Sequence, residues 1–376
     1  LGRGKAPAAL RLPGDYRPIL ACGSDLMSSI CVAAGGLAHV SQYLGDLSDP
    51  DCLSRFRETV DRLGRLLDLV PELVACDAHP DYVSTAYGVS LGLPLRLVQH
   101  HHAHVVAAMV EKEINEPVIG VAFDGNGWGP DGRIWGGEWL ICDRRLAVRA
   151  AHFKVAPMPG GEAAIRQPWR MAVGYLTTIG LDESRIADVF PDIDPADIGP
   201  VIGQIKSGVN TPLTSSCGRL FEAIATLITD CRVQSYEGQA ASYLESLVLS
   251  GYDAGAYSFN LVDVAGVTQV DFAPMLTALL EDKAAGAPPE LMATRFQAGL
   301  AETVRLVAGH LRDKEGIETV VLSGGVFVNG YLFSETVRRL EGDGFSVITS
   351  ENIPINDGGI SLGQAAIVAA GGGLPD

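Results

Sequence analysis

Residues 117–129 read PVIGVAFDGNGWG, and the reading of this stretch decides the fold. The apolar run 118–123 ends in Asp124 and a glycine-rich turn, the pattern of a buried strand bounded by turn residues. RIWGGEWLICD (133–143) and LAVRAAHFKV (146–155) follow as further apolar runs, so a three-strand meander is predicted. A similar series stands earlier: PILACGSD (18–25), SSICVAA (28–34) and LAHVSQYL (37–44). After that first series, 52–70 carries Leu, Phe and Val at helical spacing. ELVACDA (72–78) reads as a buried strand, DYVSTAYGVSLG (81–92) as a helix, and PLRLVQH (94–100) as a strand running into a second helix. After the second series, 160–315 is largely helical, with loops such as IDPADIGP and AAGAPPE. Then ETVVLSGGVFVNG (318–330) is strand, glycine turn and helix, FSVITS (345–350) a strand, and GGISLGQAAIVAA (358–370) a helix. Two copies of a βββαβα-like unit predict an α/β protein of two related lobes with a ligand cleft between them. The division expected is a linker or N-terminal extension over 1–16, a first lobe over 17–116, and a second over 117–376 that carries the helical insertion.

A chain of 376 residues exceeds what one core usually covers, in keeping with two lobes. The formal charge of −17, with no local run of Lys or Arg, excludes a phosphate backbone as partner. Apolar stretches such as VVAAMV (105–110) fall far short of a membrane span, and the first residues hold no core of signal-peptide length. Seven dispersed cysteines without a CxxC pair indicate reduced thiols, hence cytoplasm, and no cysteine-based zinc site.

The second helix of the first lobe opens with HHHAH (100–104), four of the eight histidines of the chain. Residues four apart share a helical face, so His100 and His104 can hold one divalent metal, while His101 and His102 point elsewhere. Position 101 is His and not Glu, so a zinc-protease reading fails on its base. The alternative is a helix start that is merely histidine-rich. Asp124, at the end of its strand, and Asp357, in PINDGGIS, are acids placed where burial is costly without a cation or donors. Two imidazoles and two carboxylates from both lobes make a nitrogen–oxygen set suited to iron, zinc or manganese.

The glycine turn in VVLSGGVFVNG (320–330) offers backbone N–H groups to a phosphate, or lets an adenosine lie against the chain. Asn329 either caps the next helix or reaches a nucleotide. No GK[ST] follows and no dinucleotide fingerprint is present. In TSSCGRLFEAIA (214–225), Ser215 and Ser216 read as helix caps or ligand groups, and Arg219 as a cation near the helix start. Glu237 in SYEGQAA (235–241) suits the start of another helix. No nucleophile elbow supports hydrolysis.

Together these segments resemble one family. ILACGSD, SQYLGDL, CDAHPDYVST, VQHHHAH, AFDGNGWG, IWGGE, MPGGEAA, RQPWR, SSCGRLFEAIA, SYEGQAA, LSGGVFVN and NDGGISLGQ stand in the order found in HypF carbamoyltransferases of NiFe-hydrogenase maturation, in their C-terminal Kae1/TsaD-like module. The resemblance runs from about residue 17 to 370. It implies two ribonuclease H-like lobes of the actin-like ATPase type. It implies transfer of a carbamoyl group from carbamoyl-adenylate to the C-terminal cysteine thiol of a HypE-like acceptor, on the route to the cyanide ligands of the NiFe centre. The adenylate would come from carbamoyl phosphate and ATP in a YrdC-like adenylate-forming module, in cis or in trans. The metal site of the family maps onto His100, His104, Asp124 and Asp357, for iron or zinc foremost, with manganese or magnesium also admitted. The side that takes ATP or carbamoyl-adenylate maps onto Gly324, Gly325 and Asn329, with Ser216, Gly218, Arg219, Glu237, Gly238, Gln239 and Asp25 around it.

Two departures stand out. The family pattern G-x-[DE]-L-K-N reads GSDLMS here, with Met27 and Ser28 in place of Lys-Asn, which bears on how the nucleotide is handled. The accompanying acylphosphatase-like, zinc-finger and adenylate-forming modules are absent from these residues, so this chain alone is not expected to make the adenylate. An O-carbamoyltransferase of a small-molecule hydroxyl shares the metal residues and is the nearest rival. A degenerate, non-catalytic actin-like scaffold is the rival from another class; Met27 favours it and the His/Asp set opposes it. A sugar or acetate kinase has no need of HxxxH.

Overall fold

A computed structural model describes residues 6–249, 251 and 254–374. The first meander forms where it is expected: Ile19–Ala21, Cys31–Ala34 and Leu37–Val40 pair antiparallel in sequence. Leu73–Asp77 and then Leu95–Val98 add in parallel beside Ile19–Ala21. The second sheet repeats this order. Val118–Trp128, Ile134–Cys142 and Ala147–Phe153 form the meander, and Thr319–Ser323 and Ser346–Ile348 add in parallel beside Val118–Trp128. Two units with the same strand order make this the ribonuclease H-like pair of an actin-like fold. Parallel additions need crossovers, and helices supply them: Pro50–Leu67 and Val83–Ser90 in the first unit, Gly330–Gly342 in the second. Pro50–Leu67 starts where Asp49 accepts from the amides of Asp51 and Cys52, with proline at its first position.

Two expectations need correcting. Residues 1–16 read as a linker, yet Ala8–Arg11 is a strand that pairs antiparallel with Leu37–Val40; residues 1–5 lie outside the described part. An edge strand needs only the backbone of its neighbour, so a short AALR segment with weak alternation carries no visible signal. The helical region holds more sheet than its composition suggests. Asn260–Val264 and Val267–Asp271 form a hairpin beside Ala147–Phe153, turned at Ala265 and Gly266, both at positive φ. The helix Ile360–Ala369 lies against the first sheet, where Gln364 accepts from the Gly23 amide at 2.8 Å and donates to its carbonyl at 3.1 Å.

That helix and His100–Glu111 lie side by side between the two sheets. Gly363 permits the approach, since a Cβ there would stand 1.9 Å from the Ala103 carbonyl oxygen. Apolar residues of both helices and both sheets share one core, which holds the histidine helix rigidly at the inter-sheet boundary. A second core under the second sheet is built on Phe123, Trp139 and Phe153, whose rings pack at 4.9–5.5 Å. All seven cysteines are free thiols, and no helix among the described residues is long and apolar enough to cross a membrane.

Candidate metal and nucleotide site

The strand Leu95–Val98 delivers the chain to Gln99, which starts the histidine helix by accepting from the His102 amide at 2.9 Å. His100 and His104 then stand one turn apart with ring centroids 4.9 Å from each other. His102 faces away and donates Nε2–H to the Asp143 carbonyl at 2.7 Å. His101 accepts at Nδ1 from the Gln99 amide group, 3.0 Å away, and its buried Nε2 meets no partner among the described residues.

Asp124 reaches the same point from the other sheet. The ladder with Ile134–Cys142 loses register between Phe123 and Gly127, and the bulged residues turn the Asp124 carboxylate toward the helix. Its Oδ2 lies 3.2 Å from His100 Nε2 and 3.3 Å from His104 Nε2, while Oδ1 accepts from the Gly325 amide at 3.2 Å. Asp357, in a single 3₁₀ turn after Asn356, brings Oδ1 to 3.4 Å from His104 Nε2 and 3.8 Å from His100 Nε2. The donor atoms of these four residues lie within 4.8 Å of one another. Behind them Asp77, at the end of its strand, sits 2.7 Å from His100 Nδ1.

Charge in this cluster is strongly coupled. Burial alone would depress His100, yet Asp77, Asp124 and Asp357 outweigh it and hold the imidazole well above its ordinary value. His104 is raised in the same sense: burial opposes, and the carboxylates of Asp124 and Asp357 prevail. Asp124 is held well below the carboxylate range, because its bonds to the two imidazoles exceed its desolvation. A buried point with two imidazole nitrogens, two carboxylates and an outer carboxylate fixing one imidazole suits a divalent cation. The residues therefore fit a metal.

From this cluster an open cleft runs between the two units, with a cavity of about 280 Å³. That stands near the lower end of the size of small-molecule sites. Six of the residues assigned to the nucleotide side line it: Gly218, Arg219, Glu237, Gly238, Gly325 and Asn329. The other four are not among its lining residues, and each has a structural task. Asp25 accepts from the amides of Val83 and Ser84 at 2.7 and 2.8 Å and so caps the helix Val83–Ser90 from a distant part of the chain. Ser216 caps Cys217–Ile228 and donates to the carbonyls of Asp124 and Gly125 at 2.9 and 2.7 Å. Gln239 accepts from the Ser235 amide at 2.6 Å. Gly324, at φ +100°, leaves room for the Phe123 carbonyl, which a Cβ would approach to 2.2 Å.

The glycine turn does not present its amides to a ligand: Gly324 N–H goes to the Ile355 carbonyl at 2.9 Å, and Gly325 N–H to Asp124. What it offers is close approach of bare backbone. Asn329 does cap its helix, accepting from the Leu332 amide at 2.9 Å, and donates to Gln297 at 2.8 Å. Arg219 is nearly wholly buried, with Nη2 2.9 Å from Glu222 and 3.4 Å from Glu237. Burial pushes Glu222 up to about 7 against the pull of Arg219, and raises Glu237 as well. Met27, at φ +48° and 46 % exposed, stands on the lip of the cleft; Ser28 is buried behind it, its amide bonded to the Gly45 carbonyl.

Sequence reasoning missed two residues. Asp77 ends a buried strand, LVACD, and that position was its one signal. Tyr82 lines the cleft and stacks on His79 at 4.2 Å; burial first, then Asp77, Asp357 and Asp124, raise its hydroxyl pKa well above the usual range.

Two family models match the chain: "HypF Kae1-like domain" over residues 14–111, and "Carbamoyltransferase, Kae1-like Domain, second subdomain" over 120–364. The chain is similar to Carbamoyltransferase HypF2 of Cupriavidus necator, 38 % identical over 96 % of this chain and 48 % of that one. It is similar to Carbamoyltransferase HypF of Rhizobium leguminosarum bv. viciae, 37 % identical over 97 % of this chain and 47 % of that one. It thus spans about half the length of these two relatives. A Carbamoyltransferase HypF homolog of Cupriavidus necator is 34 % identical over 94 % of this chain and 92 % of its own. Among solved structures, full-length HypF in its phosphate- and nucleotide-bound form superposes with a TM-score of 0.94 at 36 % identity, covering 98 % of this chain and 58 % of that one.

Proposed function

This chain belongs to the HypF carbamoyltransferase family, and on that premise we propose that its cleft transfers a carbamoyl group from carbamoyl-adenylate to the C-terminal cysteine thiol of a HypE-like acceptor. The observation that carries the reading is the convergence of His100, His104, Asp124 and Asp357 at one end of an open cleft between the two units. In the reaction the acceptor thiolate attacks the carbamoyl carbon, an S–C bond forms, the C–O bond to phosphate breaks, and AMP leaves with the electron pair. The adenylate is supplied by a YrdC-like module, in cis or in trans.

The four ligand residues would hold a divalent metal, iron or zinc foremost, which when bound supplies positive charge beside the leaving phosphate. The rest falls to the chain itself. Asp77 keeps His100 in one tautomer, so that Nε2 faces the cleft. The Gly325 amide and the Ser216 hydroxyl fix the side chain and the backbone of Asp124. Gly125, Gly218 and Gly325 bring bare backbone against the adenosine. No cysteine lines the cleft among the described residues, and Cys217, just behind its wall, is fully buried with its thiol pushed well above the ordinary value. A thiolate delivered by a partner meets this need.

The test supplies carbamoyl-adenylate from a separate adenylate-forming module, with the acceptor and this chain, and reads the mass of the acceptor's C-terminal peptide. The wild-type chain adds one carbamoyl group, and the double variant His100→Ala, His104→Ala adds none. Full transfer by that variant would sink the proposal.

A further inference from the structure

The charge lining the cleft does not match a polyphosphate. Arg219 is the one cation among the described lining residues, against the carboxylates of Asp124, Asp357, Glu222, Glu237 and Glu245. Arg219 is 2 % exposed, with Nη2 between Glu222 and Glu237, while its Nε and Nη1 are buried without a partner among the described residues. A divalent ion on the His/Asp cluster would balance Asp124 and Asp357, leaving three glutamates to face one arginine. With Glu222 protonated as well, the remainder is still negative. The amides of Gly324 and Gly325, the nearest backbone donors of the glycine turn, are bonded within the protein. The lips are apolar: Leu26 and Met27 lie on one side, Val326 and Val328 on the other, and Met27 and Val328 are 46 % and 62 % exposed. Each further phosphate on a ligand would add negative charge toward a wall of the same net sign.

We propose that the cleft selects its adenosine ligand by charge, taking a singly charged acyl-adenylate and rejecting ADP and ATP, with the apolar Met27 lip as the determinant that keeps the polyphosphate out. This rests on the reading that the cleft binds an adenosine ligand. The selection has a use in the proposed reaction. A cell holds far more ATP than any acyl-adenylate, and a cleft that took both would be occupied by the wrong one. Specificity of this kind is built from what the wall refuses.

The experiment is a calorimetric titration of the metal-loaded chain, in magnesium-free buffer, with a non-hydrolysable acyl-sulfamoyl adenosine, AMP, ADP and ATP. Affinity falls in that order, by roughly tenfold for each added charge at low salt. Raising the salt narrows the gap between AMP and ATP, because screening weakens repulsion and leaves steric exclusion untouched. Met27→Lys, at a half-exposed position, strengthens ATP binding by about tenfold and changes AMP far less. Circular dichroism of the variant controls for folding. ATP binding as tightly as AMP overturns the proposal, as does a gap that neither salt nor Met27→Lys reduces. Absence of binding by every one of the four compounds overturns the adenosine reading itself, a separate result from loss of the order among them.

Discussion

Asp77 decides which nitrogen of His100 faces the cleft. A carboxylate 2.7 Å from Nδ1 fixes that nitrogen as a proton carrier and leaves Nε2, which faces Asp124 and Asp357, as the nitrogen a metal would take. Asp77→Asn keeps the shape but weakens this hold, and metal affinity should fall by about 10–100-fold, read by competition with a chromogenic chelator. Unchanged affinity would reduce Asp77 to a loop residue that accepts from the His79 amide. Glu222 gives a second handle. Its carboxyl is pushed up to about 7 in the folded chain by burial, while an unfolded glutamate titrates near its ordinary value of about 4.5. Because the folded value is the higher one, the folded state is favoured below about pH 4.5, and that advantage drains away as pH rises to about 7, by about 3 kcal/mol in all. Relative to Glu222→Gln, wild-type stability should therefore decline over that window, measured by urea denaturation at several pH values. Two curves running parallel would contradict the assignment. Residues of this kind were partly legible beforehand. The HxxxH spacing and two strand-end or turn acids point to the cluster, because helical geometry and the cost of burying an acid act locally. Asp77 was not, since nothing near it in the chain says that a histidine 23 residues later will turn toward it.

At the scale of elements, several side chains that read as ligand groups turn out to hold the frame. Asp25 caps Val83–Ser90 across 58 residues of sequence, through two backbone amides. Asp25→Ala should cost about 1–2 kcal/mol, seen as a lower denaturation midpoint, with metal content unchanged. A variant as stable as wild type that fails to bind an adenosine ligand would restore Asp25 to the ligand side. Caps from neighbouring residues, such as Asp49 on Pro50–Leu67, can be read from sequence, whereas a cap from a remote turn exists only after folding. The three-strand meanders and their helical crossovers were legible because apolar periodicity and turn residues set them locally. The edge strand Ala8–Arg11 and the hairpin Asn260–Asp271 were not, because their partners supply most of the reason for their form.

For the whole molecule, the repeat explains where the site lies. Two sheets of one strand order pack on a shared pair of helices, His100–Glu111 and Ile360–Ala369, and the cleft opens where the strand ends of both units meet. The first unit provides the imidazoles and the second the carboxylates Asp124 and Asp357, so the ligand set is complete only when both units are packed together. A ligand that binds only this arrangement stabilises the fold by mass action, about 2.7 kcal/mol at a hundred times its dissociation constant. The most direct measurement is carbamoyl transfer by one preparation in three states: as isolated, stripped by a chelator, and reloaded with iron or zinc. Carbamoyl-adenylate and the acceptor are supplied throughout, and the mass of the acceptor's C-terminal peptide is read. The expected result is transfer as isolated, none after stripping, and recovery on reloading. Undiminished transfer by the stripped protein would contradict the account.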